Sequence, residues 1–233
     1  MNNKTVLITG SSRGIGKQLA IAFSKNDWNV YGCYKNNIPD FDIPNSEFVK
    51  ADISNYNEVK DLIKKVIAKF GKIECVINNA SIISDSTIFK MTDTIWDSVV
   101  KTDLSGTFYM IKESLRQMMK QKNGSIINIA SISAFKSYIG SANYSASKAG
   151  VITLTKTAAR EGGPFGVRVN AVLPGFHFTG MGSNASDKYI EATKKESVLN
   201  TTTDIKELAE FIIFLAQTKT VSGQVFNFDS RLI

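Results

Sequence analysis

Residues 4–16 read Lys-Thr-Val-Leu-Ile-Thr-Gly-Ser-Ser-Arg-Gly-Ile-Gly. The apolar run 4–9 ends at Gly10, and residues 14–26 carry helix periodicity through Ile15, Leu19, Ala22 and Phe23. The stretch therefore predicts a strand, a tight turn and a helix. Gly10 permits the turn, Gly14 lets the backbone approach a phosphate, and Gly16 lets the helix pack closely on the strand. The helix N-terminus offers unpaired N–H groups and a positive dipole to a pyrophosphate. Ser12, Arg13 and Ile15 complete this predicted cradle. A glycine-rich turn alone reads equally as a bare loop, but between a strand and a helix it favours a nucleotide.

The same alternation continues outward. Strand patterns fall at 29–34, 47–50, 73–77, 125–130, 167–172 and 224–228, and helix patterns at 55–69, 95–120, 143–160 and 204–217. Continuous apolar strands alternating with helices predict a parallel sheet covered on both faces. The expected fold is α/β: a doubly wound, Rossmann-type three-layer sandwich with seven parallel strands in a single domain, 1–233. The polar segment at about 176–203, after Pro174-Gly175, predicts a short substrate lid built as a loop or short helices.

Nicotinamide dinucleotide sites that take NAD place an acid at the end of the second strand, on the ribose 2′-OH. Here that strand ends Tyr34-Lys35-Asn36, with no acid. Lys35 and Arg13 suit a 2′-phosphate instead, so NADP(H) is favoured over NAD(H). The plain alternative is that both are surface charges.

Tyr144 and Lys148 stand four residues apart in Tyr-Ser-Ala-Ser-Lys. On a helix that spacing puts a phenol beside an ammonium. A free phenol, with a pKa near about 10, is a poor acid or base at neutral pH. A fixed neighbouring cation stabilises the phenolate. With a dinucleotide site this pair describes a reductase, whereas alone it reads as a packing tyrosine and a surface lysine.

Composition narrows the alternatives. The 233 residues fit one α/β domain, and 43% hydrophobic with 21% charged residues is ordinary for a globular protein. No apolar run approaches the roughly 18–20 residues of a membrane span, and the N-terminus lacks a signal-peptide layout, so a cytoplasmic protein with no membrane association is expected. Cys33 and Cys75 lie in strand-like runs and read as buried free thiols. With His177 the only histidine, no ordinary metal site is expected, and a Ser-His-Asp hydrolase would need His177 as base. The net charge of +7 is spread along the chain, which argues against nucleic acid and for anionic small molecules or a plain solvated surface.

In order, the chain carries TGSSRGIG (9–16), Asp52-Ile53-Ser54, Asn78-Asn79-Ala80-Ser81, Ser131, Tyr144-Ser145-Ala146-Ser147-Lys148, Pro174-Gly175 with Thr179, and Gly223-Gln224-Val225-Phe226-Asn227. With these motifs it resembles the short-chain dehydrogenase/reductases over nearly its whole length, and within them the 3-oxoacyl-[acyl-carrier-protein] reductases. The resemblance implies that Asp52 bonds the adenine amino group with Ile53 packed on the ring. A helix N-cap is the plain reading of Asp52. It implies that Asn78 and Ala80 line the adenosine ribose and hold the central strand, and that Thr179, after Pro174-Gly175, bonds the nicotinamide carboxamide or pyrophosphate. Tyr144 would be the general acid and Lys148 its partner on the nicotinamide ribose. Ser131, thirteen residues before Tyr144, would hydrogen-bond the carbonyl oxygen, with Ser133 as a stand-in.

The chain also departs from that family. Thr102-Asp103-Leu104-Ser105-Gly106 places Asp103 where an asparagine is usual, facing Lys148. Ser81 replaces a glycine, Gly180-Met181 follow Thr179, and the chain closes on Phe228-Asp229-Ser230-Arg231 where glycines are common. Lys122 matches one carrier-binding basic position, but Phe165 occupies the other. The implied activity is reduction of a small carbonyl substrate, or oxidation of the alcohol, with a 3-oxoacyl thioester and an acyl-carrier protein as candidate substrate and partner. A sugar, polyol or small ketone is the alternative substrate, and a non-catalytic NADP-binding scaffold the alternative class. A homotetramer or homodimer is implied, through the helices 95–120 and 143–160 and the last strand.

Overall fold

A computed structural model describes residues 3–136, 138–179 and 185–233. Seven parallel strands make one sheet in the order β3-β2-β1-β4-β5-β6-β7. They are β1 (Thr5–Thr9), β2 (Asn29–Tyr34), β3 (Ser46–Lys50), β4 (Cys75–Asn78), β5 (Gly124–Ile129), β6 (Val167–Leu173) and β7 (Val225–Asn227). Every residue of β1, β4 and β5 is buried, as strands covered on both faces require. The helices α1 (Gly14–Lys25) and α7 (Ile205–Gln217) cover one face, around Phe23, Ile77 and Leu208. On the other face α2 (Tyr56–Phe70), α4 (Thr107–Gln121) and α5 (Ala142–Gly162) pack around Val59, Met110 and Ile126.

Local sequence chemistry sets the helix ends. Asn55 caps α2 by accepting from the Asn57 N–H at 3.0 Å, and Gly71 closes that helix at φ +78°. Asp204 caps α7 by accepting from the Lys206 N–H at 2.6 Å. The chain runs outward from β1 to β3, then returns to β4 beside β1. Ligands in open α/β sheets bind at such a reversal, outside the carboxyl ends of the strands.

One expectation changes. The predicted helix 95–120 is three pieces end to end: α3 (Asp93–Val99), a π-helical stretch Val100–Gly106, and α4. The wider turn buries Thr102 and Asp103, and Gly106 lets it close on Ile53, where an added Cβ would sit 3.0 Å from the side chain. Within 176–203 one short helix forms, α6 (Asp187–Glu196), capped by Ser186, one of the two forms expected there, although its position was not marked in the sequence. Its side chains are mostly polar and exposed, so apolar periodicity gave no signal. Residues 180–184 of the expected lid, with Gly180-Met181, lie outside the described residues.

Cys33 and Cys75 are buried free thiols, and burial pushes both up to about 12. Among the described residues no helix is long and apolar enough to cross a membrane, and no His/Cys/Asp/Glu cluster could hold a metal.

Candidate active site

A cleft of about 620 Å³ opens at the carboxyl ends of the strands. Gly10, Ser12, Arg13, Gly14 and Ile15 line one stretch of it, Lys35, Asp52 and Ile53 another, and Ser131, Tyr144 and Lys148 a third. Ala80, Pro174, Gly175 and Thr179 line it too, whereas Gly16, Asn78 and Asp103 of the predicted set do not.

The first turn needs its glycines. Gly10 and Gly14 sit at φ +64° and +59°. A Cβ on Gly10 would lie 2.8 Å from the Ala80 Cα, and one on Gly16 would run into the Gly10 carbonyl and come 2.6 Å from the Asn79 amide. That amide donates to the Thr9 and Gly10 carbonyls at 2.9 and 3.1 Å. Asn79 thus ties the turn to β4 and lines the cleft, while Asn78 keeps the strand-holding part of its expected role and not the ribose-lining part. Neighbouring residues at a strand end face opposite ways, and Asn78 points into the sheet. There it donates to Asn128 Oδ1 at 2.7 Å, and Asn128 donates to the Thr155 hydroxyl of α5 at 2.8 Å.

At the far end Lys35 lies on Asp52, Nζ to Oδ2 2.7 Å. Asp52 also accepts from the Ser54 N–H and hydroxyl at 2.9 and 2.7 Å. Burial alone would raise its carboxyl, but Lys35 and the Ser54 hydrogen bonds outweigh burial and hold it below the usual range. The cap of α2 is Asn55, so Asp52 is not an N-cap. Arg13 is exposed at the start of α1.

The third stretch is the most buried. The Lys148 ammonium lies 5.4 Å from the Tyr144 ring centroid, one helical turn away on α5. It donates to the Ile129 carbonyl at 3.1 Å and pairs with Asp103 Oδ2 at 3.3 Å. Side-chain exposure is 4% for Lys148 and 0% for Asp103, so water does not screen this pair. The Ser81 hydroxyl donates to the same Asp103 oxygen, and the Ile82 N–H to the other at 2.9 Å. Burial opposes the Lys148 charge, but Asp103 and then Tyr144 more than offset it, and the lysine sits above its ordinary value. Ser131, just past β5, receives the Ser133 N–H at 3.1 Å and lies 3.2 Å from its hydroxyl. Sequence reading named Asp103 and Ser81 as separate departures, and the structure joins them in one hydrogen bond.

The Thr179 hydroxyl is buried without a hydrogen-bond partner among the described residues. A glycine cradle at a helix start and an orphaned hydroxyl farther along fit a phosphorylated dinucleotide.

Fold and site together define a dinucleotide-dependent oxidoreductase. The chain belongs to the short-chain dehydrogenase family, whose profile, described as short chain dehydrogenase, matches residues 4–190. It is 36% identical to a 3-oxoacyl-[acyl-carrier-protein] reductase of Staphylococcus epidermidis, over 97% of each chain. A Thermotoga maritima protein of the same name is 34% identical over 100% of this chain and 99% of its own. Among solved structures, ElxO with NADP bound superposes with a TM-score of 0.90 at 29% identity, covering 98% of both chains. An actinorhodin polyketide ketoreductase variant with NADPH gives 0.89 at 25% identity, covering 97% of this chain and 95% of its own.

Proposed function

We propose that the chain is an NADPH-dependent carbonyl reductase that transfers hydride to a ketone, with 3-oxoacyl thioesters as its substrate class. The observation that carries the reading is Tyr144 over a buried, charge-compensated Lys148 in the cleft that Ser131 also lines. The names of the two reductase relatives support the substrate class, and the NADP and NADPH of the two solved neighbours support NADP(H) over NAD(H).

A reduced nicotinamide held in the cleft would supply the hydride. Tyr144 gives its proton to the carbonyl oxygen as general acid. Ser131 turns its O–H from Ser133 to that oxygen and stabilises the charge developing there, while the Ser133 N–H holds its Oγ in place. Lys148 stabilises the phenolate left behind, and Asp103 with Ser81 fixes where the ammonium stands. Gly10, Ser12, Gly14, Ile15 and Gly16 would hold the pyrophosphate, and Arg13 and Lys35 the 2′-phosphate, with Lys35 leaving Asp52 for it. Asp52 and Ile53 would hold the adenine, Ala80 with Asn79 the ribose, and Pro174, Gly175 and Thr179 the nicotinamide end. Residues 176–203 serve as the lid, in a single domain.

Partners follow less directly. Lys122 ends α4 just before β5 and Phe165 stands just before β6, so both lie at the amino-terminal ends of the strands, opposite the cleft. Trp96 and Phe108, 40% and 43% exposed on α3 and α4, suit a homodimer or homotetramer contact, which light scattering reads directly.

The test is spectrophotometric NADPH oxidation with acetoacetyl-CoA beside a panel of sugars and small ketones. We expect acetoacetyl-CoA to be the preferred substrate, and Tyr144→Phe to lose about 10²- to 10⁴-fold in rate. Inactivity toward every 3-oxoacyl thioester overturns the thioester assignment in favour of a sugar, polyol or simple ketone. Inactivity toward every carbonyl overturns catalysis itself.

A further inference from the structure

Beyond β7 the chain turns back toward the cleft. Val198 N–H donates to the Ser230 carbonyl at 3.0 Å, and Arg231 forms an antiparallel bridge with Ser197. The Asn227 side-chain amide donates to the Arg231 carbonyl at 2.8 Å. These bonds plant the Arg231 side chain in the cleft wall, where it is 5% exposed. Asp229 then sets its direction, with Nε to Oδ2 2.6 Å and Nη2 to Oδ2 2.5 Å. A guanidinium has five N–H donors, so Asp229 leaves donors over.

Tyr138 lines the same cleft as Arg231. Its oxygen is buried with no hydrogen-bond partner among the described residues. Burial holds the phenol above its ordinary value, so it stays an O–H donor at neutral pH. A guanidinium only donates, and the phenol is an unspent donor, so the pair is short of an acceptor oxygen.

We propose that Tyr138 and Arg231 form a second oxygen-binding point in the cleft, which takes a neutral carbonyl of the substrate beyond the ketone being reduced. This rests on the reductase reading above and narrows it to 1,3-dicarbonyl compounds whose second carbonyl belongs to a thioester, ester or amide. A carboxylate is the wrong guest, because Asp229 already balances Arg231 and, among the described residues, no uncompensated cation lines this end of the cleft. Lys136 is paired with Glu196, Lys148 with Asp103, and burial lowers His177 toward its neutral form. Asp85, another lining residue, adds a carboxyl of its own.

The experiment compares kcat/KM for NADPH oxidation with ethyl acetoacetate, acetoacetate and 2-pentanone, in the wild type, Tyr138→Phe and Arg231→Lys. The wild type is expected to prefer ethyl acetoacetate over both others. The ethyl acetoacetate to 2-pentanone ratio should fall about tenfold in Tyr138→Phe. Arg231→Lys, which keeps the charge and loses the fork, should lower the same ratio. A ratio unmoved in Tyr138→Phe, or a wild type that prefers acetoacetate, overturns the second binding point while leaving the reductase reading standing. If no carbonyl is turned over, the reductase reading falls. The point is then read by the thermal shift that ethyl acetoacetate gives the NADP-loaded protein, and equal shifts in wild type and Tyr138→Phe overturn it.

Discussion

Two lysine–aspartate pairs stand in the walls of one cleft and behave as different devices. Lys148 and Asp103 are 4% and 0% exposed, while Lys35 and Asp52 are 53% and 23% exposed. The buried pair cannot trade partners with water, so each charge depends on the other and on the Ser81, Ile82 and Ile129 groups around it. The open pair is solvated and screened, and its partners can exchange cheaply. Burial makes the first a fixed support beside Tyr144. Exposure leaves the second free to surrender its ammonium to a phosphate.

The contrast can be broken most forcefully at Asp103. Asp103→Ala leaves the Lys148 charge buried without its counter-ion, and should cost about 3–5 kcal/mol in chemical denaturation. A loss below about 1 kcal/mol would mean that water reaches the pair and that the two pairs are alike. Asp103→Asn is gentler and resolves charge from shape. The folded-state value of Lys148 is raised, so its contribution to stability is complete below the ordinary lysine pKa of about 10.4 and disappears as pH climbs through the folded value. The stability gap between wild type and Asp103→Asn should therefore be level near neutral pH and close in alkaline solution. A gap that closes on acidification instead would assign it to another group. The same variant should change turnover and move the pH profile of the rate, and identical profiles would leave Asp103 a purely structural role.

At the open pair the effects are smaller. Lys35→Ala should lower the preference for NADPH over NADH about tenfold, less as salt is raised. An unchanged preference would leave the 2′-phosphate to Arg13. The smallest effect expected is on stability, where Lys35→Ala should stay within about 0.5 kcal/mol. A larger drop would show that the exposed pair braces the ends of β2 and β3.

The sheet was legible because its strands are continuous apolar runs and its first turn is punctuated by glycine. The cleft residues were legible through motif order. What sequence could not supply were contacts made across elements. Lys35 meets Asp52 because the register Tyr34 to Lys50 brings the ends of β2 and β3 side by side, and no local pattern encodes that pairing. Asn78 and Asn79 read as one motif until the strand end turned one inward and left the other on the cleft. Helix periodicity carried the reading straight through Val100–Gly106, where one wider turn rotates Asp103 inward. The polar helix α6 lacked the apolar stripe on which such readings depend.

The side chains of Asn78, Asn128 and Thr155 run from β4 through β5 to α5. A slip of α5 by one residue would swing it through about 100° and strip Asn128 of its mate in the middle of the protein. That ladder acts as a keyway: it indexes the helix, and with it the aim of its reactive face, from behind the sheet. Substitutions there should blur catalysis without touching any ligand, a route to impaired variants that a search confined to the crevice would overlook.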